Sequence, residues 1–234
     1  MIVGRDQPEA GSWKPAASVR AVLWDLDGTL ADSAEYHWLS WRDTLSAEGV
    51  VISYDQFLAS FGQKNDRILA AWLPPPHIPD VIQRIGDAKE EEYRRLARSR
   101  GLTPLPGAVE WVRRLHEAGW RQAIASSAPR LNVEAMLEAL DLTHYFDAIA
   151  SAEDVTAGKP DPQVFLAAAA KLEASHERCV VVEDAAAGVE AARRAAMASI
   201  GVSPTTKLDA DVAVSSLEDL PLDTFGRLIA IRQG

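Results

Sequence analysis

Two carboxylates separated by one residue follow an apolar run near the start of the chain, and this arrangement constrains the fold more than any other feature. The run covers residues 19–24 and leads into Asp25, Leu26, Asp27 and Gly28. Because residues i and i+2 of a strand point to the same side, Asp25 and Asp27 are predicted to leave the end of a strand together. Carboxylates this close repel each other, which favours a bound cation or a shared proton. Taken alone, these residues are equally consistent with an acidic turn.

The remaining chain predicts alternating strands and helices, interrupted once. Further strands are expected over 120–125, 146–150, 178–182 and 198–202, with helices between them. This order favours an α/β fold, a Rossmann-like parallel sheet with helices on both faces. Between Asp32 and Gly101 the pattern predicts no strand, and the expected helices cover 34–48, 54–60, 65–73 and 80–99. Asp32 and Ser33 are expected to cap the first of these helices, and Asn65 the third.

Three parts are therefore expected along the chain. Residues 1–18 are interpreted as a loose leader, residues 19–32 together with 102–234 as the α/β core, and residues 33–101 as an inserted helical cap. No secretory signal and no stretch of about twenty apolar residues is found in this sequence. With a single cysteine and thus no internal disulfide, the expected location is the cytoplasm.

Charge and composition limit the class of partner. The 234 residues are 47% hydrophobic and 25% charged, as in an ordinary soluble domain, with a formal net charge of -10. An acidic chain without a basic excess is a poor partner for nucleic acid or for an anionic membrane surface. A small anionic metabolite stays possible because a local site can be positive. We expect a monomer or a weak homodimer.

Polar side chains stand where nearly every predicted strand ends. In an open parallel sheet, ligands bind outside the carboxyl ends of the strands. The side chains expected at that edge are Asp25, Asp27, Ser126, Lys159, Glu183 and Asp184. Carboxylate oxygens suit Mg²⁺ better than zinc, which prefers Cys and His, and Lys159 and Ser126 can interact with phosphoryl oxygens. The set indicates phosphoryl transfer in which Asp25 and Asp27 divide the roles of nucleophile and acid.

These motifs, in this order, resemble those of the haloacid dehalogenase superfamily in its phosphatase and phosphomutase branch. They are Asp-Leu-Asp-Gly-Thr at 25–29, Ser126, Lys159-Pro160 and Glu183-Asp184. The resemblance implies that Asp25 becomes an aspartyl phosphate, and that Asp27 protonates the leaving group and then activates water. It also implies Mg²⁺ held by the Asp25 side chain, the Asp27 main-chain carbonyl and Asp184, with Glu183 a further ligand or a supporting group.

Within that branch the helical insert resembles the cap of β-phosphoglucomutases, but only in part. His37 and Lys89 match a histidine and a lysine of that cap, whereas Asn65 replaces the arginine that holds the distal phosphate. Pro129 stands where those enzymes have a lysine, and Ala128 where they have a serine. Lys64, next to Asn65, and Arg130, next to Pro129, are cations that can take the place of the missing arginine and lysine. Candidate substrate-binding residues are therefore His37, Gln63, Lys64, Asn65, Lys89, Ser127 and Arg130.

The sequence predicts a Mg²⁺-dependent phosphatase that acts on a small phosphorylated metabolite, preferably a sugar phosphate, through an aspartyl phosphate. The leading alternative is a hexose phosphomutase of the β-phosphoglucomutase kind, which must hold two phosphates at once. A third hypothesis is a catalytically idle protein that binds a metabolite. The complete set of acid, serine and lysine motifs argues against the third.

Overall fold

The computed structural model describes residues 19–60 and 65–231, and its strands form one six-stranded parallel sheet in the order β3-β2-β1-β4-β5-β6. The strands are β1 Ala21–Trp24, β2 Arg121–Ala125, β3 Ala148–Ala150, β4 Cys179–Glu183, β5 Ala198–Val202 and β6 Val212–Val214. The helices are α1 Ala34–Ala47, α2 Tyr54–Ser60, α3 Asn65–Trp72, α4 Pro79–Arg100, α5 Ala108–Glu117, α6 Arg130–Ala139, α7 Gln163–Lys171, α8 Ala186–Arg194 and α9 Thr224–Ile231. The predicted α/β fold with a parallel sheet is confirmed.

Strand β1 lies in the middle of the sheet and is buried on both faces. It pairs with β2 and with β4, so that Leu23 lies opposite Ala123 on one side and Val181 on the other. Val22 and Trp24 pack into a cluster that includes side chains of α5, α6 and α9, whereas Ala21 and Leu23 pack against α7 and α8. A strand covered on both faces must be apolar throughout, which explains why β1 has no polar residue before its end.

Helices α1 to α4 have an apolar cluster of their own. It consists of Trp41, Leu45, Ile52, Phe57, Ile68, Leu69 and Ile85. We call residues 33–101 the helical segment. The separate cluster is consistent with the expected cap, whose boundaries stay a prediction, and the expected leader at 1–18 lies outside the described residues. Among the described helices, none is long and apolar enough to cross a lipid bilayer.

The structure corrects three details of the sequence interpretation. Strand β6 and helix α9 were not predicted; β6 is a partly exposed edge strand of only three residues, too short for a pattern to be recognised. The expected side-chain cap by Ser33 is wrong, because Ser33 occupies the N-cap position of α1 but its side chain makes no capping hydrogen bond. Its hydroxyl instead donates to the carboxylate of Asp27.

Candidate active site

A buried lysine joins the ends of β1 and β4 at the carboxyl edge of the sheet. Lys159 Nζ lies 2.5 Å from Asp25 Oδ1 and also contacts Glu183 Oε1. The second carboxylate oxygen of Glu183 accepts a hydrogen bond from the Ala185 amide at 2.9 Å. Glu183 is only 1% exposed, so both of its oxygens are held by protein groups. Burial lowers the pKa of Lys159, but the two carboxylates outweigh this effect, and the net pKa is raised. Lys159 is therefore a fixed cation beside Asp25.

The carboxylates of Asp25, Glu183 and Asp184 form a cluster in which ligand atoms lie within 4.8 Å of one another. All three donors are hard oxygens, so the cluster fits a hard divalent cation such as Mg²⁺ better than zinc. Burial, with the nearby Glu183 charge, raises the pKa of Asp184 to about 7. Burial likewise raises the pKa of Asp25, since Lys159 offsets only part of the desolvation. A cation bound here would offset the repulsion between these three carboxylates.

Gly28 is the residue that lets Asp184 reach this cluster. Its φ of +84° is a conformation that favours glycine, and a Cβ at this position would overlap the carboxylate of Asp184. The glycine that follows the two acids of the first motif therefore has a specific steric role. It leaves room for a carboxylate from the end of β4 beside β1.

Asp27 faces the helical segment. Its carboxylate accepts a hydrogen bond from the Ser33 hydroxyl and lies 3.4 Å from His37 Nε2. Burial alone would raise the pKa of Asp27, but the contacts with His37 and Ser33 outweigh it and lower the pKa. The two acids of the first motif therefore contact different partners, Asp25 a core lysine and Asp27 a histidine of α1. Separate environments of this kind suit separate chemical roles.

His37 is held between Asp27 and a buried lysine of α4. Its Nδ1 lies 3.0 Å from Lys89 Nζ, and its ring stacks on Tyr93 with centroids 4.3 Å apart. An ammonium group can only donate, so Nδ1 accepts and we assign the ring hydrogen to Nε2, facing Asp27. Burial and the Lys89 charge lower the pKa of His37. His37 is accordingly a neutral donor to Asp27 in this arrangement.

Three further sequence candidates lie between the end of β2 and the first residue of α6. Ser126 is 2% exposed and its Oγ accepts a hydrogen bond from the Ala128 amide at 3.0 Å. Ser127 is exposed on the same loop. Arg130 donates to Asp154 at 3.0 Å and to the Ile149 carbonyl at 3.1 Å. Its guanidinium is thus engaged by residues that the sequence did not associate with the site.

Two of the expected specificity residues, Gln63 and Lys64, lie outside the described residues. The third, Asn65, donates through Nδ2 to Glu90 at 2.6 Å. Glu90 also contacts Lys89 and Asn132, and neither Glu90 nor Asn132 was a sequence candidate. The only sequence signal for Glu90 is its place directly after Lys89, and a run of charges on a helix is usually a solvated face.

Comparison with known proteins places this arrangement in a family. A model described as haloacid dehalogenase-like hydrolase matches residues 19–196. The chain is 32% identical over 216 residues to the beta-phosphoglucomutase of Bacillus subtilis (strain 168), covering 88% of this chain and 93% of that protein. It is 34% identical over 217 residues to hexitol phosphatase B of Escherichia coli (strain K12), covering 86% of this chain and 94% of that protein.

A solved structure agrees with these sequence matches. The crystal structure of CbbY from Rhodobacter sphaeroides in complex with phosphate aligns with a TM-score of 0.79 and 28% identity, covering 86% of this chain and 96% of that chain. The resemblance that the motifs predicted is thus confirmed.

Proposed function

Because this chain belongs to the haloacid dehalogenase-like hydrolase family, we propose that it is a Mg²⁺-dependent phosphatase of a small phosphorylated metabolite. A sugar phosphate is the preferred substrate class, in line with the hexitol phosphatase to which the chain is similar. The observation that carries the proposal is the separation of the two acids. Asp25 lies against Lys159 and an acidic cluster, and Asp27 lies against His37 and Ser33.

The proposed reaction has two steps. In the first, an Asp25 oxygen forms a bond to phosphorus, the bond from phosphorus to the leaving-group oxygen breaks, and protonated Asp27 gives its proton to that oxygen. In the second, Asp27 accepts a proton from water as the water attacks phosphorus and the bond to Asp25 breaks. Phosphate is released, and Asp27 again carries the proton. The lowered pKa of Asp27 in this arrangement suits the base of the second step, whereas the first step uses the protonated form that the second step leaves.

The residues around Asp25 fit the charge of a phosphoryl group. A Mg²⁺ ion would be held by the side chains of Asp25 and Asp184 and by the main-chain carbonyl of Asp27, with Glu183 beside it. When bound, it supplies positive charge to the transferring phosphoryl group. Lys159 supplies a second positive charge, and Ser126 supplies a hydroxyl at the end of β2. We also propose that His37 and Ser127 contact the substrate, and that Lys89 and Arg130 contact parts of it other than a second phosphate.

Two ion pairs favour a phosphatase over a mutase. A mutase must bind a second phosphate, but Lys89 Nζ lies 3.0 Å from Glu90 and Arg130 lies 3.0 Å from Asp154. Both cations are thus already partnered by carboxylates. A hexose phosphomutase is the second candidate, supported by the 32% identity to a beta-phosphoglucomutase over 88% of this chain.

One assay separates the two candidates. Inorganic phosphate release is measured with Mg²⁺ over a panel of sugar and polyol phosphates that includes β-glucose 1-phosphate, and isomerisation of that compound is followed with a bisphosphate primer present. We expect net phosphate release from at least one compound and none from the Asp25→Asn variant. Isomerisation of β-glucose 1-phosphate without net phosphate loss would favour the mutase instead.

A further inference from the structure

Glu90 lies at the meeting point of three helices and is almost completely buried. Only 8% of the residue is exposed. Its Oε1 accepts from Asn65 Nδ2 of α3 at 2.6 Å and from Lys89 Nζ at 3.0 Å, and its Oε2 accepts from Asn132 Nδ2 of α6 at 2.5 Å. One carboxylate therefore connects α3 and α4 of the helical segment to a helix of the α/β core. An exposed ion pair would contribute little, but buried hydrogen bonds to a charged group are strong.

All three neighbours of Glu90 donate hydrogen bonds to it, so the side chain at position 90 must be an acceptor. Asn132 is 1% exposed, and its carbonyl oxygen accepts from Arg94 at 2.9 Å. Arg94 can only donate, so the amide of Asn132 must turn its NH₂ toward Glu90. Asn65 and Lys89 likewise present donors. The cluster thus requires an acceptor with several lone pairs at position 90.

Glu90 is also connected to the proposed acid by a short chain of contacts. Lys89 Nζ contacts both Glu90 and Nδ1 of His37, and Nε2 of His37 faces Asp27. Lys89 is only 2% exposed, and burial lowers its pKa, so Glu90 is the carboxylate that favours its charged form. The charged form is what obliges His37 to accept at Nδ1 and donate at Nε2.

We propose that Glu90, fixed by Asn132 of the core, is a positioning residue for His37 and through it for Asp27. The hydrogen bonds of Glu90 go to Asn65, Lys89 and Asn132, and not to the reacting carboxylates of Asp25 and Asp27. Glu90 holds α4 against α6 in the position from which Lys89 contacts His37. In this way it sets the orientation of the Nε2–H group of His37 that faces Asp27. The contact between the helical segment and α6 and the arrangement of the acid are thereby joined in one cluster. The kinetic part of this inference rests on the proposed function.

Exchanging the donor and the acceptor between positions 90 and 132 tests whether the hydrogen bond between Glu90 and Asn132 has the proposed role. In Glu90→Gln, the new NH₂ group must face one of the donors on Asn65, Lys89 or Asn132, and turning the Asn132 amide only moves the conflict to Arg94. In Asn132→Asp, two carboxylates face each other. In the double variant, the new glutamine donates to the new aspartate, which also accepts from Arg94, so each hydrogen bond of the cluster has a partner again.

The kinetic readout is kcat/KM for two kinds of monoester. An alkoxide leaving group needs a proton from an acid, whereas p-nitrophenolate departs without one. For the best sugar phosphate of the panel, we expect Glu90→Gln to lower kcat/KM about tenfold or more, and for p-nitrophenyl phosphate less than about threefold. The double variant should recover most of the loss. Glu92→Gln, the same change at a partly exposed residue of α4 paired with Arg95, should leave both values unchanged.

A second readout does not need activity. In ¹⁵N-histidine-labelled protein, the nitrogen shifts of His37, assigned with His37→Gln, should show the Nε2–H tautomer in the wild type. Glu90→Gln should give a mixed or averaged signal, and the double variant should restore the wild-type signal. The inference would be overturned if Glu90→Gln lowered kcat/KM equally for both esters, or if it left the His37 tautomer unchanged. It would also be overturned if the double variant folded but had no higher kcat/KM than Glu90→Gln. If the wild type hydrolyses no ester, the proposed function fails and the nitrogen shifts still decide the role of Glu90.

Discussion

The ammonium of Lys159 lies 2.5 Å from the carboxylate of Asp25, so the loop before α7 reaches the end of the central strand. Lys159 also contacts Glu183, which is buried at the end of β4. A single cation therefore offsets the repulsion between carboxylates that two neighbouring strands bring together. Its removal should affect both turnover and stability.

Replacing Lys159 with methionine keeps most of the side-chain volume and removes the charge. We expect kcat to fall about 100-fold or more, because a fixed charge near the transferring phosphoryl group is lost. In metal-free buffer the variant should also unfold at a lower temperature, since removing one partner of a buried ion pair costs about 3–5 kcal/mol. Lys171→Met is the matched control, because Lys171 is a partly exposed lysine paired with Asp154. Comparable losses in the control would contradict this role of Lys159.

Glu183 depends on a glycine in the helix that follows β4. A Cβ on Gly188 of α8 would overlap the carboxylate of Glu183. Gly188→Ala should therefore displace that carboxylate from Lys159, lower kcat, and destabilise the fold by about 1–3 kcal/mol, as overpacking does. At Gly226 of α9, by contrast, an added Cβ would meet no atom of the described residues within 4 Å. Gly226→Ala should be neutral or stabilising, by up to about 1 kcal/mol. Thermal unfolding and steady-state kinetics check both variants, and an unaffected Gly188→Ala enzyme would count against the packing described.

Much of this arrangement follows from the sequence, and the rest does not for physical reasons. A parallel sheet brings its carboxyl ends together, so the motifs at Asp25, Ser126, Lys159 and Asp184 could be expected at one edge. Strand 198–202 was predicted with its observed bounds. Local patterns could not show that Ser33 donates to Asp27 rather than to its own helix, because the two interactions compete for the same hydroxyl.

The cluster around Glu90 was beyond sequence reasoning for a different reason. Its partners come from α3, α4 and α6, and their contact depends on how these helices pack. In sequence, Glu90 belongs to a charged run that resembles a solvent-exposed face. The catalytic and substrate-binding roles assigned to individual residues stay predictions.

Mg²⁺ binding should depend on pH through the acidic cluster. The pKa of Asp184 rises from its ordinary 3.8 to about 7, mainly through burial. Between these values the folded metal-free protein holds a proton that the unfolded chain has lost, so its stability should fall as pH rises through this window. Mg²⁺ must displace that proton, so its affinity should increase up to about tenfold per pH unit below about pH 7.

Calorimetric titration with Mg²⁺ from about pH 5 to about pH 8 measures this dependence. The Asp184→Asn variant, which has no proton to displace at this position, should bind Mg²⁺ weakly with a flatter pH profile. An affinity of the wild type that does not change across the window would mean that Asp184 is not a ligand or does not hold the proton.

The central claim is that Asp25 carries the phosphoryl group during turnover. The most direct measurement is acid quenching of the enzyme during the hydrolysis of its best substrate with Mg²⁺, followed by mass spectrometry of the peptide that contains Asp25. We predict that this peptide gains the mass of one phosphoryl group, and that Asp25→Asn folds but gains none and releases no phosphate. Wild-type-like turnover by Asp25→Asn, or a phosphoryl group found on another residue, would contradict this claim.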